Sequence, residues 1–155
     1  MKVYGYCRIS TSKQSMERQI RNIKLAYPDA VIVKETYTGT KIQGRKEFEK
    51  LLKIVSTGDT LVFDSVSRMS RTAQEGYEMY QKLYNQGVSL VFLKEPHINT
   101  STYQQAMENQ LSVNVKTGDQ ASEELLSGIF GALNRYMLNL AKRQIQLAFE
   151  QAEKE

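Results

Sequence analysis

Residues 2–34 read KVYGYCRISTSKQSMERQIRNIKLAYPDAVIVK, and the order of elements in this stretch decides the fold. Lys2 to Ile9 is short, aromatic and β-branched, the composition of a buried strand. The polar residues Ser10 to Ser15 follow. Ile20, Ile23 and Tyr27 then recur at i, i+3 and i+7, one face of a helix. Pro28-Asp29 ends that helix. Ala30 to Lys34 is strand-like again. A strand, a helix and a strand in so short a span form the unit that builds parallel sheets.

The alternation continues outward from this unit. Thr38-Gly39-Thr40-Lys41 is a loop. Phe48, Leu51, Leu52 and Val55 give an amphipathic helix closed by Gly58-Asp59. Leu61-Val62-Phe63 is a third strand. Tyr77, Tyr80 and Tyr84 mark a helix with Gly87 at its C-terminal cap, and Val88 to Leu93 is a fourth strand. The pattern predicts an α/β domain with a largely parallel sheet of about four to five strands flanked by helices. From Pro96 to Gly118 the pattern fades, apart from a short helix around Tyr103 to Leu111.

Asp119 opens a long helical pattern that runs to about Glu153. Its apolar positions include Leu125, Ile129, Leu133, Tyr136, Leu140 and Leu147. Such a helix would be about 50 Å long, more than a domain of this size needs to cover its own sheet. The stripe is expected to meet a second copy of the chain. Gly128 and Gly131 inside it each cost about 1 kcal/mol relative to Ala. Close approach at an interface or a local kink would account for them. The expected division is a core at 1–118 and the long helix at 119–155.

Composition narrows the class. The chain has 155 residues, 41% of them hydrophobic and 25% charged, which fits one ordinary globular domain. No run approaches the ~20 apolar residues of a membrane span, and Lys2 and Arg8 interrupt any secretory signal. A cytoplasmic location is expected. A single cysteine, Cys7, and a single histidine, His97, exclude an internal disulfide and a Cys/His zinc cage within one chain. Residues 1–71 hold 14 basic and 7 acidic side chains, whereas residues 72–155 hold 7 and 10. The basic half suggests an anionic partner, commonly phosphate.

Some motifs fail on inspection. Gly39 to Lys46 has the glycine spacing of a phosphate-binding P-loop, but Arg45 stands in place of its lysine and Lys46 in place of its Ser/Thr. Nothing ties His97 to a serine. Glu35, Asp59 and Asp64 show no metal-ligand spacing. A stronger constellation lies at the end of the first strand, in Tyr6-Cys7-Arg8-Ile9-Ser10. Tyr6, Arg8 and Ser10 share one face there, at the strand end where ligands of open α/β sheets bind. The third strand leads into Asp64-Ser65-Val66-Ser67-Arg68-Met69-Ser70-Arg71. If that stretch is helical, Arg68 and Arg71 share a face. Arg45 opens the second helix. A hydroxyl among four arginines suits attack on a phosphodiester. Singly, each position has a plainer reading: Ser10 or Ser12 as a helix cap, the arginines as surface residues.

The conjunction resembles the catalytic domain of the serine site-specific recombinases, the resolvase/invertase family, often encoded on mobile genetic elements. Tyr-x-Arg-x-Ser at the N-terminus carries the likeness. So do Ser10-Thr11-Ser12-Lys13-Gln14-Ser15, Gln19, the Thr38-Gly39 loop leading to Arg45, and Ser67-Arg68-Met69-Ser70-Arg71. The resemblance implies a serine that attacks DNA, becomes joined to the 5′ phosphate and releases a 3′ hydroxyl. Strand exchange in a tetramer of two dimers and religation then follow. It implies no nucleotide cofactor and no metal at the site, and no membrane partner. Ser10 would be the nucleophile. Arg8, Arg68 and Arg71 would hold the phosphate with Arg45 in support, and Tyr6, Gln14 and Gln19 would lie outside them. Lys142 and Arg143 on the long helix match a region near double-stranded DNA.

Two departures stand out. Ser67 replaces an Asp frequent in the family, which leaves Asp64, three residues earlier, as a candidate acid. The DNA-binding domain usual after the long helix is not among these residues. The competing readings are a non-catalytic, dimerising module that regulates DNA-bound partners, and a phosphatase-like enzyme acting on small molecules.

Overall fold

The computed structural model describes residues 1–9, 13–36, 45–109 and 117–154. The elements run β1 (Val3–Ile9), α1 (Lys13–Ala26), β2 (Val31–Thr36), α2 (Lys46–Ile54), β3 (Thr60–Phe63), α3 (Val66–Met69), α4 (Ala73–Asn85), β4 (Ser89–Phe92), a 3-10 turn (Pro96–Ile98), α5 (Thr100–Glu108) and α6 (Gln120–Lys154). The strands form one sheet in the order β2-β1-β3-β4, and all neighbours are parallel. The chain leaves β1 towards β2 and later returns to β1's other side as β3. The point where the winding changes direction therefore lies between the ends of β1 and β3, the place where open α/β sheets bind ligands.

Alternation along the strands separates two cores. Cys7 and Val62 face α1, packing with Met16, Ile23 and Ala30. Tyr4, Tyr6, Leu61 and Phe63 lie in the other core with Phe48 and Leu51 of α2, Tyr80 and Leu83 of α4, and Phe149 of α6. Aromatic rings tie the second layer together. Phe63 stacks on Phe92 at 5.4 Å, and Phe149 meets Phe92 edge-on at 6.3 Å. Gly76 of α4 makes room for Phe149, since a Cβ there would lie 2.3 Å from the ring. Ala is the better helix former by about 1 kcal/mol, but forcing a fully buried ring aside costs about 1–3 kcal/mol. Gly76→Ala is therefore expected to lower the urea midpoint and loosen α6 from the core.

The sheet has four strands among the described residues, and β4 is an edge. Its outward groups are taken by side chains rather than by another strand. Leu90 N–H donates to Thr100 Oγ1 at 2.9 Å, and Phe92 N–H donates to Asn99 Oδ1 at 2.7 Å. The stretch that had no clear pattern thus holds the 3-10 turn and α5, which blunt an edge that would otherwise pair with another chain. The short helix expected near Tyr103 begins earlier, at Thr100, and ends at Glu108; Leu111 lies outside the described residues.

The long helix is unbroken from Gln120 to Lys154. Only its later part docks on the core, through Ile145, Ala148 and Phe149. Leu125, Ile129, Leu133, Tyr136, Met137 and Leu140 remain exposed. Among the described residues no side chain uses the space at Gly128, and the atom nearest a Cβ at Gly131 is Arg135 Nη1 at 3.6 Å. No described helix is long and apolar enough to cross a membrane.

Candidate functional site

The site begins on β1. Central strands are buried on both faces, and here Tyr6 is fully buried and Arg8 only 5% exposed. A charge so deep must be held by hydrogen bonds. Gln19 of α1 grips the Arg8 backbone from both sides. Arg8 N–H donates to Gln19 Oε1 at 3.1 Å, and Gln19 Nε2 donates back to the Arg8 carbonyl at 3.1 Å. The Arg8 guanidinium reaches over to donate to the carbonyl of Ser67.

β2 contributes Glu35, which stands beside Arg8 in the register. Its buried carboxylate accepts from the Tyr6 hydroxyl at 3.1 Å, and from Glu47 N–H at 3.0 Å and Phe48 N–H at 3.3 Å. Glu35 thereby caps the start of α2, where an anion is favoured. Arg45, the residue before α2, makes no side-chain cap of its own. Its guanidinium lies 4.2 Å from the Phe48 ring centre and 5.4 Å from that of Tyr6.

After β3, the single turn α3 gathers these groups. Arg45 Nη2 donates to the Arg68 carbonyl at 3.0 Å, and Arg68 Nη1 donates to the Arg8 carbonyl at 3.1 Å. Arg8, Arg45 and Arg68 are thus interlocked through backbone carbonyls at the change of winding. Arg45 and Arg68 form no ion pair with any carboxylate among the described residues. The Nε–H groups of both are buried and meet no acceptor there. A buried guanidinium donor without an acceptor is costly, and an anion would relieve it.

Other expected residues fall elsewhere. Ser10 and the Thr38-Gly39 loop lie outside the described residues. Gln14 is exposed on the first turn of α1. Arg68 and Arg71 do not share a helical face. α3 ends at Met69, Ser70 is extended at φ −154° and ψ 150°, and Arg71 follows in an exposed bend. Asp64 likewise precedes α3 rather than belonging to it, so it is not one helical turn from Ser67. It neither caps a helix nor pairs with an arginine among the described residues. Buried near Cys7, it accepts from Asn22 Nδ2 at 3.0 Å and pairs with Lys94 at 3.4 Å. The Ser67 side chain turns to Ser65, Oγ to Oγ at 2.8 Å. Burial, with Asp64 nearby, pushes the Cys7 thiol up to about 12, which removes it as a nucleophile at neutral pH.

On α6, Arg143 donates to Glu150, Nη1 to Oε1 at 3.1 Å and Nη2 to Oε2 at 3.5 Å. Both residues line a cleft of about 350 Å³ against Ala73, Gln74 and Tyr77 of α4, whose N-cap follows Arg71. Lys142 adjoins Arg143 on the same helix. Glu35 and Glu95 were not singled out by motif. Each is a polar residue at or just past the carboxyl end of a strand, as Arg8 is: Glu35 in β2 and Glu95 beyond β4.

A parallel sheet with interlocked arginines at its change of winding, and a long helix standing off it, define an α/β domain with a cationic cluster at the strand ends. The chain belongs to the resolvase family: residues 3–155 match the model for the resolvase N-terminal domain. It is 30% identical over 98 residues to a resolvase of Clostridium perfringens (strain 13 / Type A), covering 63% of this chain and 51% of that one. It is 32% identical over 107 residues to the transposon Tn21 resolvase of Escherichia coli, covering 68% and 53%. A solved resolvase family site-specific recombinase from Streptococcus pneumoniae shares the fold, with TM-score 0.50, 24% identity and 98% coverage of both chains. The chain spans about half the length of the curated relatives it matches.

Proposed function

We propose that this chain is the catalytic part of a site-specific DNA recombinase. Ser10 Oγ attacks a backbone phosphorus, the P–O3′ bond breaks, and a 5′-phosphoserine link forms as a 3′ hydroxyl leaves. The number of phosphate ester bonds is conserved, so the reverse attack by a 3′ hydroxyl of the exchanged strand reseals the DNA. Arg8, Arg45 and Arg68, joined by Arg71, hold the non-bridging oxygens. One observation carries this reading: among the described residues the Arg45 and Arg68 guanidiniums donate to neutral carbonyls and pair with no carboxylate, with two buried Nε–H donors left over. A phosphodiester brings both the charge and the acceptors they lack. Gln19, which holds the Arg8 backbone, and Tyr6 support the arginines.

Residues 1–118 form the catalytic unit and 119–155 the association helix. The exposed stripe from Leu125 to Leu140 pairs two copies, and two dimers form the tetramer that exchanges strands. Gly128 and Gly131 fit a close approach there. Lys142 and Arg143 lie against DNA, whose phosphates compete with Glu150 for Arg143.

The test uses the full-length recombinase and a nicked suicide duplex carrying its site. A covalent adduct on the 5′ end is expected, undiminished by EDTA, because the arginines supply the charge that Mg²⁺ supplies in nucleases. Cleavage without an adduct, lost in EDTA and restored by Mg²⁺, would make the protein a metal-dependent nuclease.

A further inference from the structure

Four residues make α3, too few to be stable as an isolated helix. Yet Ser67 and Arg68 within it provide the carbonyls that receive Arg8 and Arg45. Its N-cap, Ser65, makes no side-chain capping bond, since its hydroxyl is engaged with Ser67 Oγ. The cap comes instead from 29 residues later in the chain. Both carboxylate oxygens of Glu95 accept from Val66 N–H, at 3.0 and 3.2 Å. Glu95 lies just past the end of β4, so the bond ties α3 to the sheet at the strand ends that carry the site. We infer that Glu95 is a positioning residue for DNA cleavage, its ionised carboxylate fixing α3 so that Arg8, Arg45 and Arg68 converge on one phosphate. This rests on the recombinase reading.

Geometry and charge agree on the ionised form. A carboxylate is favoured at a helix start, and a neutral acid would be a poorer acceptor for Val66 N–H. The charged groups facing Glu95 are Asp64 at the end of β3, Lys94 beside it and His97 in the 3-10 turn. Burial raises the Glu95 pKa above its ordinary value, helped by Asp64 and opposed by Val66 N–H, Lys94 and His97. The raised pKa means that the folded protein takes up a proton there before the unfolded chain would. Protonation therefore favours the fold slightly while loosening the cap. Cleavage should fall on the acid side at a pH above the usual glutamate range, without unfolding.

The experiment measures adduct formation on the suicide duplex by the full-length protein from mildly acidic to neutral pH. Glu95→Gln is expected to cleave roughly a hundredfold more slowly at neutral pH, the scale of a displaced active-site group. It should also lose the acid limb that the wild type shows. Glu95→Asp, which keeps the charge, should recover part of the rate and retain an acid limb. Val66→Pro removes the donor at a position where the extended Ser65, φ −150° and ψ 163°, accepts a following proline. Its effect should not add to that of Glu95→Gln. A Glu95→Gln protein with wild-type rate and pH profile would overturn the inference. So would a slow one whose acid limb is intact, or strict additivity with Val66→Pro. Failure of the wild type itself to form an adduct would instead overturn the recombinase reading.

Discussion

Ser10→Ala is expected to eliminate the covalent protein–DNA adduct while the protein still folds and self-associates. Alanine has no oxygen to attack phosphorus, and the buried Cys7 thiol is no substitute. Cys7 packs on the α1 side of the sheet with its thiol held protonated. The arginine substitutions should follow with a graded loss. Arg68 Nη1 donates to the Arg8 carbonyl, so Arg68→Lys removes a planar fork and that strut, while the backbone carbonyl that receives Arg45 remains. Removing one preorganised donor to developing charge typically costs 10²–10³-fold in rate, and lysine does not reproduce a bidentate contact. Arg68→Lys should thus slow adduct formation by about that factor, with DNA binding much less affected. Quench-flow with gel resolution of the adduct, beside filter binding, separates the two effects. Adduct formation by Ser10→Ala at the wild-type level would refute the assignment of the nucleophile.

The local parts of this fold were legible because each rests on a short-range rule. The aromatic and β-branched composition of β1 and the i, i+3, i+4 spacing of Phe48, Leu51 and Leu52 predict elements that the structure places within a residue or two. Gly87 closes α4 with φ +80°, as a residue free of a side chain can. The N-terminal Arg8 and the helix-opening Arg45 were legible as well, since strand ends and helix starts are set locally. What escaped depends on contacts distant in sequence. The Asp64–Arg71 stretch has helical spacing, but only one turn forms, because Ser70 turns out to bond Thr72 instead of continuing the helix: its Oγ donates to the Thr72 carbonyl at 2.8 Å and accepts from Thr72 N–H at 3.2 Å. Arg71 is thereby sent off the face of Arg68. The cap on α3 comes from Glu95 and the cap on α2 from Glu35, and neither lies within a turn of the helix it caps. Asn99 and Thr100 lie in the stretch where the pattern fades, yet they close the edge of β4. No periodicity carries that information.

Ile129→Glu is expected to break self-association and leave the monomer folded. In the isolated chain Ile129 is 47% exposed, and Leu125 and Leu133, one turn to either side, are 67% and 43% exposed, so a carboxylate there meets water and costs the monomer little. In a dimer seated on this stripe the same carboxylate would be buried without a partner. Breaking up a buried charge arrangement costs about 3–5 kcal/mol, and at 1.4 kcal/mol per tenfold the dissociation constant should rise more than a hundredfold. The core contacts of α6 lie at Ile145, Ala148 and Phe149, more than four turns further along the helix at about 3.6 residues per turn, so the thermal midpoint of the monomer should hold. Sedimentation equilibrium distinguishes the outcomes: wild type shifting towards dimer with concentration, Ile129→Glu remaining at monomer mass. Equal association constants for the two proteins would place the interface elsewhere. The same variant should lose strand exchange while still protecting single sites at low salt, because phosphate contacts are made by each copy and weaken steeply with salt, whereas exchange needs the copies held together.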